Sequence, residues 1–231
     1  MIKENILNIK KRISLVCSKI KKAPDEITVV AVSKNRPVAQ VKEAIASGIT
    51  DIAENRVQEA AVKYDALRTF SSLQDSLRWH MVGHLQTNKV REAVAIFDLI
   101  HSVDSLRLAE EINKQAARIN KVQDILIEVK TSPEATKYGL MPQDAPAFVK
   151  DASGLRNLKV KGLMTIAPLA DNPQQSRSYF KALREIFDYI NGLSAPSQRL
   201  SILSMGMSED FEVAIEEGSN MVRIGRAIFE G

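Results

Sequence analysis

Eight short apolar runs alternate along this chain with helical patterns, and that alternation constrains the fold more than any other feature. The runs fall at about 27–34, 51–55, 79–84, 98–103, 124–130, 158–166, 200–205 and 221–225. Helical patterns fill the gaps at about 38–47, 56–69, 87–97, 105–119, 143–153, 174–191 and 209–217. Turn signals at Gly48, Gly139, Gly154, Gly192 and Gly218 punctuate the series. Ahead of the first run, Ile6, Ile9, Ile13, Val16 and Ile20 recur every three or four residues and mark an amphipathic helix, with Cys17 on or beside its stripe. Eight strands, seven intervening helices and one helix in front predict an α/β fold, a (β/α)8 TIM-type barrel whose eighth helix is displaced to the N-terminus. A doubly wound open sheet is the alternative, and the count of eight favours the barrel. No Pro/Gly/Ser linker or shift in composition breaks the series. Residues 1–231 therefore read as one domain, with 1–22 a basic helix packed on it.

Composition narrows the setting. Aromatics make up only 5% of a chain that is 45% hydrophobic, which suits helix-on-strand packing better than an aromatic-rich sandwich. Cys17 is the single cysteine, so no intramolecular disulfide can form and a reducing compartment is expected. No run approaches the ~18 apolar residues of a membrane-spanning helix. A cytoplasmic location without membrane contact is the expectation. The formal charge of +4 invites a nucleic-acid partner, but residues 1–22 carry seven basic side chains against Glu4 alone, leaving the rest slightly acidic. The excess belongs to one helix, and nucleic acid is not expected.

The first run, "ITVVAVSKN", ends on Lys34. In a parallel barrel the chemistry gathers at the C-terminal strand ends, and alternation puts Val30 and Val32 on the same side as Lys34. Such a lysine either emerges into solvent or serves as an amine that forms a Schiff base with a carbonyl. The seventh run leads into "LSMGMSEDFEVAIEEG", where Gly206 permits a tight turn and Ser208 suits the N-cap of the next helix. The eighth leads into "MVRIGRAIFEG", where Gly225 permits close approach. Loops after strands seven and eight commonly hold phosphate in this fold. Arg223 lies two residues before Gly225 and points inward, where a guanidinium needs an acceptor. That acceptor is either a carboxylate within the barrel or the ring nitrogen of a phosphate-bearing ligand. A lysine for an aldehyde, a cradle for a phosphate and an arginine for a ring nitrogen together suit pyridoxal phosphate.

The segments "VAVSK", "ENRVQEA", "WHMVGHLQTNK", "SVDSLRLA", "KYGL", "VKGLMTIAP", "LSMGMSEDFEVAIEEGS" and "MVRIGRAIF" occur in this order from about 26 to 229. Together they resemble the pyridoxal-phosphate homeostasis protein family, single-domain relatives of the alanine racemase N-terminal barrel. The resemblance implies that Lys34 holds pyridoxal 5'-phosphate as a Schiff base and that Arg223 meets the pyridine nitrogen. Ser204, Gly206 and Met207 are implied on one side of the phosphate, with Gly225 and Arg226 on the other. It further implies that Asn55 and His80 line the same pocket. Two departures stand out. Arg226 replaces a small hydroxyl residue frequent in the family, and Ala53 replaces a glycine.

An arginine at the ring nitrogen cannot accept its proton, which weakens the cofactor as an electron sink. A two-base racemase also needs a second proton-transfer group, a tyrosine that alanine racemase takes from a further domain. Of the tyrosines here, Tyr64, Tyr179 and Tyr189 fall within helical patterns, and only Tyr138 lies on a loop near the mouth. The expectation is a carrier and store in vitamin B6 homeostasis, with apoenzymes that use pyridoxal phosphate as candidate recipients and no robust catalysis. A low-efficiency amino-acid racemase is the alternative, and a barrel enzyme acting on a phosphorylated sugar through Lys34 is a third reading. Lys89 and Lys137 are candidates for secondary contacts. His80 and His84 have metal-ligand spacing, but four residues along a strand span roughly 13 Å at ~3.3 Å per residue, so no metal is expected.

Overall fold

The computed structural model describes residues 1–68, 77–134 and 138–230. Eight parallel strands close into a barrel in sequence order. They are β1 Thr28–Val32, β2 Asp51–Glu54, β3 Arg78–Met81, β4 Leu99–Val103, β5 Gln123–Glu128, β6 Leu158–Met164, β7 Ile202–Ser204 and β8 Met221–Ile224. Closure is made by β8 against β1, with Thr28 opposite Met221 and Val30 opposite Arg223. Among the described residues the helices are α1 Ile2–Lys19, α2 Val38–Ala46, α3 Val57–Leu67, α4 Val90–Ile96, α5 Leu106–Arg118, α6 Ala145–Ser153, α7 Arg177–Leu193, α8 Phe211–Glu216 and α9 Arg226–Phe229.

Strand side chains alternate between two faces, and here the faces build two separate cores. Inside the barrel, Val30, Ala53, Leu99, Leu126, Met164 and Met221 pack together. Outside it, Ala31, Ile52, Ile100, Ile125, Leu203 and Val222 meet the inner stripes of the helices. Each strand is therefore apolar on both faces, which explains the continuous runs in the sequence.

The N-terminal helix takes the expected place in the outer ring, against α2, α8 and α9. It buries Ile2, Ile6, Ile9, Ile13, Val16 and Cys17. Ile20 departs from expectation: it caps α1 and stays exposed, because the helix ends before its stripe reaches that residue. Two ties pin α1 to the C-terminal elements. Asn5 Nδ2 donates to the Ile228 carbonyl at 3.0 Å, and Arg12 makes two bonds to Glu212 at 2.9 and 3.1 Å while lying over the Phe211 ring. Part of the basic excess of residues 1–22 is thus spent within the fold. The short α9 was hidden in the sequence, being a single turn directly after a strand. No helix among the described residues is long and apolar enough to cross a membrane.

Candidate functional site

The C-terminal ends of β1, β7 and β8 enclose a cavity of about 240 Å³. Val32, Lys34, Met207, Arg223, Gly225 and Arg226 line it. That volume lies below the ~300–1,000 Å³ of drug-sized sites and suits a compact ligand. The strand β1 stops at Val32, and Lys34 follows in a turn rather than ending the strand. Its side chain is exposed at the cavity, and no hydrogen bond or ion pair among the described residues ties its amine.

Beside it, the loop after β7 turns at Gly206, whose φ is +93°. A Cβ there would lie 2.6 Å from Ala214 Cβ and 2.9 Å from Phe211 Cα, so both the conformation and the packing demand glycine. Gly225 is less constrained, since an added Cβ would come within 3.2 Å of the Val32 carbonyl without a positive φ. Ser208 does not cap the next helix as expected. Asp210 occupies the N-cap of α8, and its carboxylate accepts the Met207 N–H at 2.7 Å, while Ser208 Oγ accepts the Ala227 N–H at 3.2 Å. Ser208 therefore ties the loops after β7 and β8 together. At the rim, Arg226 pairs with Glu209 at 3.2 Å, bridging the same two loops.

Arg223 reaches the cavity from below and is almost fully buried. Its Nη1 donates to Ser204 Oγ at 2.7 Å and its Nη2 to the Thr165 carbonyl at 2.8 Å. Desolvation brings the guanidinium down to about 10, with Glu128 and Asp210 pulling it back up. Ser204, expected in the phosphate wall, instead lies fully buried beneath Arg223. Its hydroxyl is also 3.1 Å from His101 Nδ1.

From there the polar chain continues down the barrel. His101 Nε2 is 2.9 Å from His80 Nδ1, and His80 Nε2 is 3.0 Å from Asp51 Oδ1. The directions at its two ends are set: the Asp51 carboxylate only accepts, so His80 donates to it through Nε2, and the Arg223 guanidinium only donates, so Ser204 Oγ accepts from it. Burial, reinforced by repulsion from His80 and Arg223, holds His101 well below the usual imidazole range. Asp51 is desolvated too, but bonds from His80 and Thr50 bring its carboxyl below the usual range.

His80 therefore corrects the expectation of a pocket residue. It lies in the interior layer and contributes to a depression at the opposite, N-terminal mouth with Arg78 and Asp98. Asn55 does not line the Lys34 cavity either. It faces a neighbouring cavity of about 410 Å³ with His84 and Lys89. Tyr138 stacks on His84 with ring centroids 3.8 Å apart and borders a third, small cavity with Glu128. Lys137 lies outside the described residues. The sequence reading missed Asp51, His101 and Glu128. Their one available signal was parity, since each shares the inward side of its strand with a core residue, Ala53, Leu99 and Leu126 respectively.

Comparison with known proteins agrees with this fold. Residues 5–231 match the family model described as alanine racemase, N-terminal domain. A pyridoxal phosphate homeostasis protein of Aquifex aeolicus is 41% identical over 226 residues, spanning 98% of this chain and 96% of that protein. One from Pseudomonas aeruginosa is 38% identical over 229 residues, spanning 99% of this chain and 94% of that protein. The structure of PipY from Synechococcus elongatus with PLP bound superposes with a TM-score of 0.84 at 36% identity, covering 99% of this chain and 100% of that one. With the eight-stranded barrel and near-complete coverage in hand, this chain belongs to the pyridoxal phosphate homeostasis proteins, a family built on the alanine racemase N-terminal domain.

Proposed function

We propose that this protein binds pyridoxal phosphate through a Schiff base on Lys34 and acts in vitamin B6 homeostasis as a carrier and store. The observation that carries the reading is the convergence of Lys34, Arg223, Met207, Gly225 and Arg226 on one compact cavity. The residues fit the group. Lys34 offers an untied amine, the Gly206 turn and the start of α9 offer backbone N–H groups, and Arg223 offers a buried donor. When bound, pyridoxal phosphate supplies an aldehyde and a ring that can accept electrons.

Lys34 would hold the group through its untied amine, and the aldehyde would supply a carbonyl that condenses reversibly with it, which is what a reversible store requires. Arg223 carries donors only, so a ring nitrogen held against it would remain a neutral acceptor. The other acidic groups at the cavity are committed: Glu209 to Arg226, and Asp210 to the Met207 N–H. No tyrosine lines the cavity among the described residues, and Tyr138 is stacked elsewhere. These features support holding over robust catalysis, and exchange with apoenzymes is the corresponding use.

The test is the visible absorption spectrum of purified protein before and after borohydride, beside Lys34→Ala. A band that borohydride abolishes and the variant lacks supports the covalent link. A protein that stays colourless with added pyridoxal phosphate overturns it. Exchange of an amino acid's α-hydrogen with solvent, above the free-cofactor background, would move the assignment to a racemase.

A further inference from the structure

The helix α3 buries Val57, Ala60, Lys63 and Leu67. This is the inner stripe of a core-facing helix, and one of its four members is a lysine with only 5% of its side chain exposed. Leu or Met would fill such a position without desolvating a charge, and a buried ion pair is weak evidence for stability. The contacts of Lys63 give a different reason for it. Its Nζ donates to the Ser33 carbonyl at 2.5 Å, to Glu54 Oε1 at 2.6 Å and to Glu59 Oε1 at 2.8 Å, using all three of its protons. Ser33 Oγ donates to the same Glu54 oxygen at 2.5 Å, and Glu59 Oε1 also accepts the Asn35 N–H at 2.6 Å.

The residue between these anchors is Lys34. The Ser33 carbonyl belongs to the peptide unit before its Cα, and the Asn35 N–H to the unit after it. Peptide units are planar, so fixing both fixes the two soft dihedrals of Lys34. Asn35 itself is held at φ +60°, in the left-handed region, which is uncommon for a residue other than glycine. The Ser33 N–H is taken by the Ala53 carbonyl at 2.9 Å. Ser33 and Glu54 point away from the barrel interior, so this clamp grips the strand ends from the helix side and leaves the cavity side to Lys34.

We propose that Lys63, with Glu54 and Glu59, is the positioning group of Lys34, holding its backbone so that the amine meets an aldehyde in the cavity. This rests on the reading of Lys34 as the covalent anchor. Two variants test it in the full chain. Lys63→Met combined with Glu54→Gln keeps side-chain length and removes one buried charge of each sign, leaving the partly exposed Glu59 on the Asn35 N–H, while Glu59→Ala removes that acceptor. Pyridoxal phosphate is titrated into each, followed by the borohydride-sensitive band, and the trapped adduct is mapped by peptide mass spectrometry. The thermal midpoint is recorded alongside.

Expected is an equilibrium constant for the covalent link about ten- to a hundredfold lower in the double variant, with a near-native thermal midpoint. The trapped adduct should spread from Lys34 to other lysines. Glu59→Ala should shift both readouts in the same direction by a smaller factor. Wild-type constants with the adduct confined to Lys34 overturn the proposal. If the double variant does not fold, Glu59→Ala decides it alone, by the same criterion. A wild type with no borohydride-sensitive band removes anchor and clamp together. A wild type with the band, matched by its variants, removes only the clamp.

Discussion

Arg223 Nη1 and Ser204 Oγ are 2.7 Å apart, and this bond joins the Lys34 cavity to the polar chain that ends at Asp51. Ser204 accepts here and meets His101 Nδ1 with the same hydroxyl. Replacing Ser204 by alanine leaves a buried Arg223 donor and a buried His101 ring nitrogen unpaired. Expected is a loss of about 1–3 kcal/mol for each group, read by chemical denaturation. A loss under about 0.5 kcal/mol would mean that the hydroxyl is not a link in the chain.

His101 should be a neutral ring, as nitrogen-15 NMR of histidine-labelled protein would register directly. His101 should stay neutral throughout the range in which an ordinary imidazole titrates, because burial disfavours its cation.

Glu128 predicts a pH dependence. Burial and the nearby Asp104 charge push its carboxyl up to about 7 from the ordinary 4.5, with Arg223 pulling the other way. The folded state therefore holds this proton more tightly than the unfolded chain does. The Glu128 contribution is fully present below about 4.5 and is lost as pH rises through about 7, by at most roughly 3 kcal/mol. Glu128→Gln should match wild type near pH 4 and be the more stable protein at pH 8. Parallel stability curves for the two would refute the assignment.

Gly206→Ala meets two obstacles, a left-handed φ of +93° and backbone 2.9 Å away at Phe211. A destabilisation of about 1–3 kcal/mol is expected, together with weaker retention of pyridoxal phosphate, because the turn that presents Met207 is displaced. Equilibrium dialysis and thermal denaturation measure the two effects. A variant native in both would show that the turn tolerates a side chain.

Arg226→Ser should separate binding from stability. The Arg226–Glu209 pair is exposed, at 60% and 56% for the two side chains, so its loss should change stability by under about 1 kcal/mol. Removing a positive charge from the rim should still raise the dissociation constant for pyridoxal phosphate a few-fold, with the difference shrinking in high salt. An affinity equal to wild type at low salt would place the guanidinium outside the ligand's field.

Legibility in the sequence followed the range of the interactions involved. Strand runs and helical stripes are local patterns, so all eight strands and the order of α1 to α8 could be read from them. Strand parity and strand ends place Lys34, Arg223 and Gly225 beside one cavity, whereas Met207 and Arg226 were implied there by the resemblance alone. The role of Ser204 could not be read, since it depends on His101, about a hundred residues away. Ser208 was misread for a similar reason: its partner is Ala227, on the next strand's loop, whereas Asp210 serves the turn locally. Lys63 left one trace, a charge within the stripe of Val57, Ala60 and Leu67. What that charge grips becomes visible only when β1 and β2 lie side by side.

The pairing of β8 with β1 has a consequence for biogenesis. A ribosome delivers Lys34 long before Arg223, yet Lys34 follows β1 and Arg223 lies on β8, the two strands that meet at the closing seam. The helix α1 waits as well, since its ties to Glu212 and Ile228 do not exist until those residues emerge. A ligand gripping both sides of that seam would act as a latch on finished molecules and find no purchase on nascent ones. Supply of such a ligand would then set how long each completed copy endures.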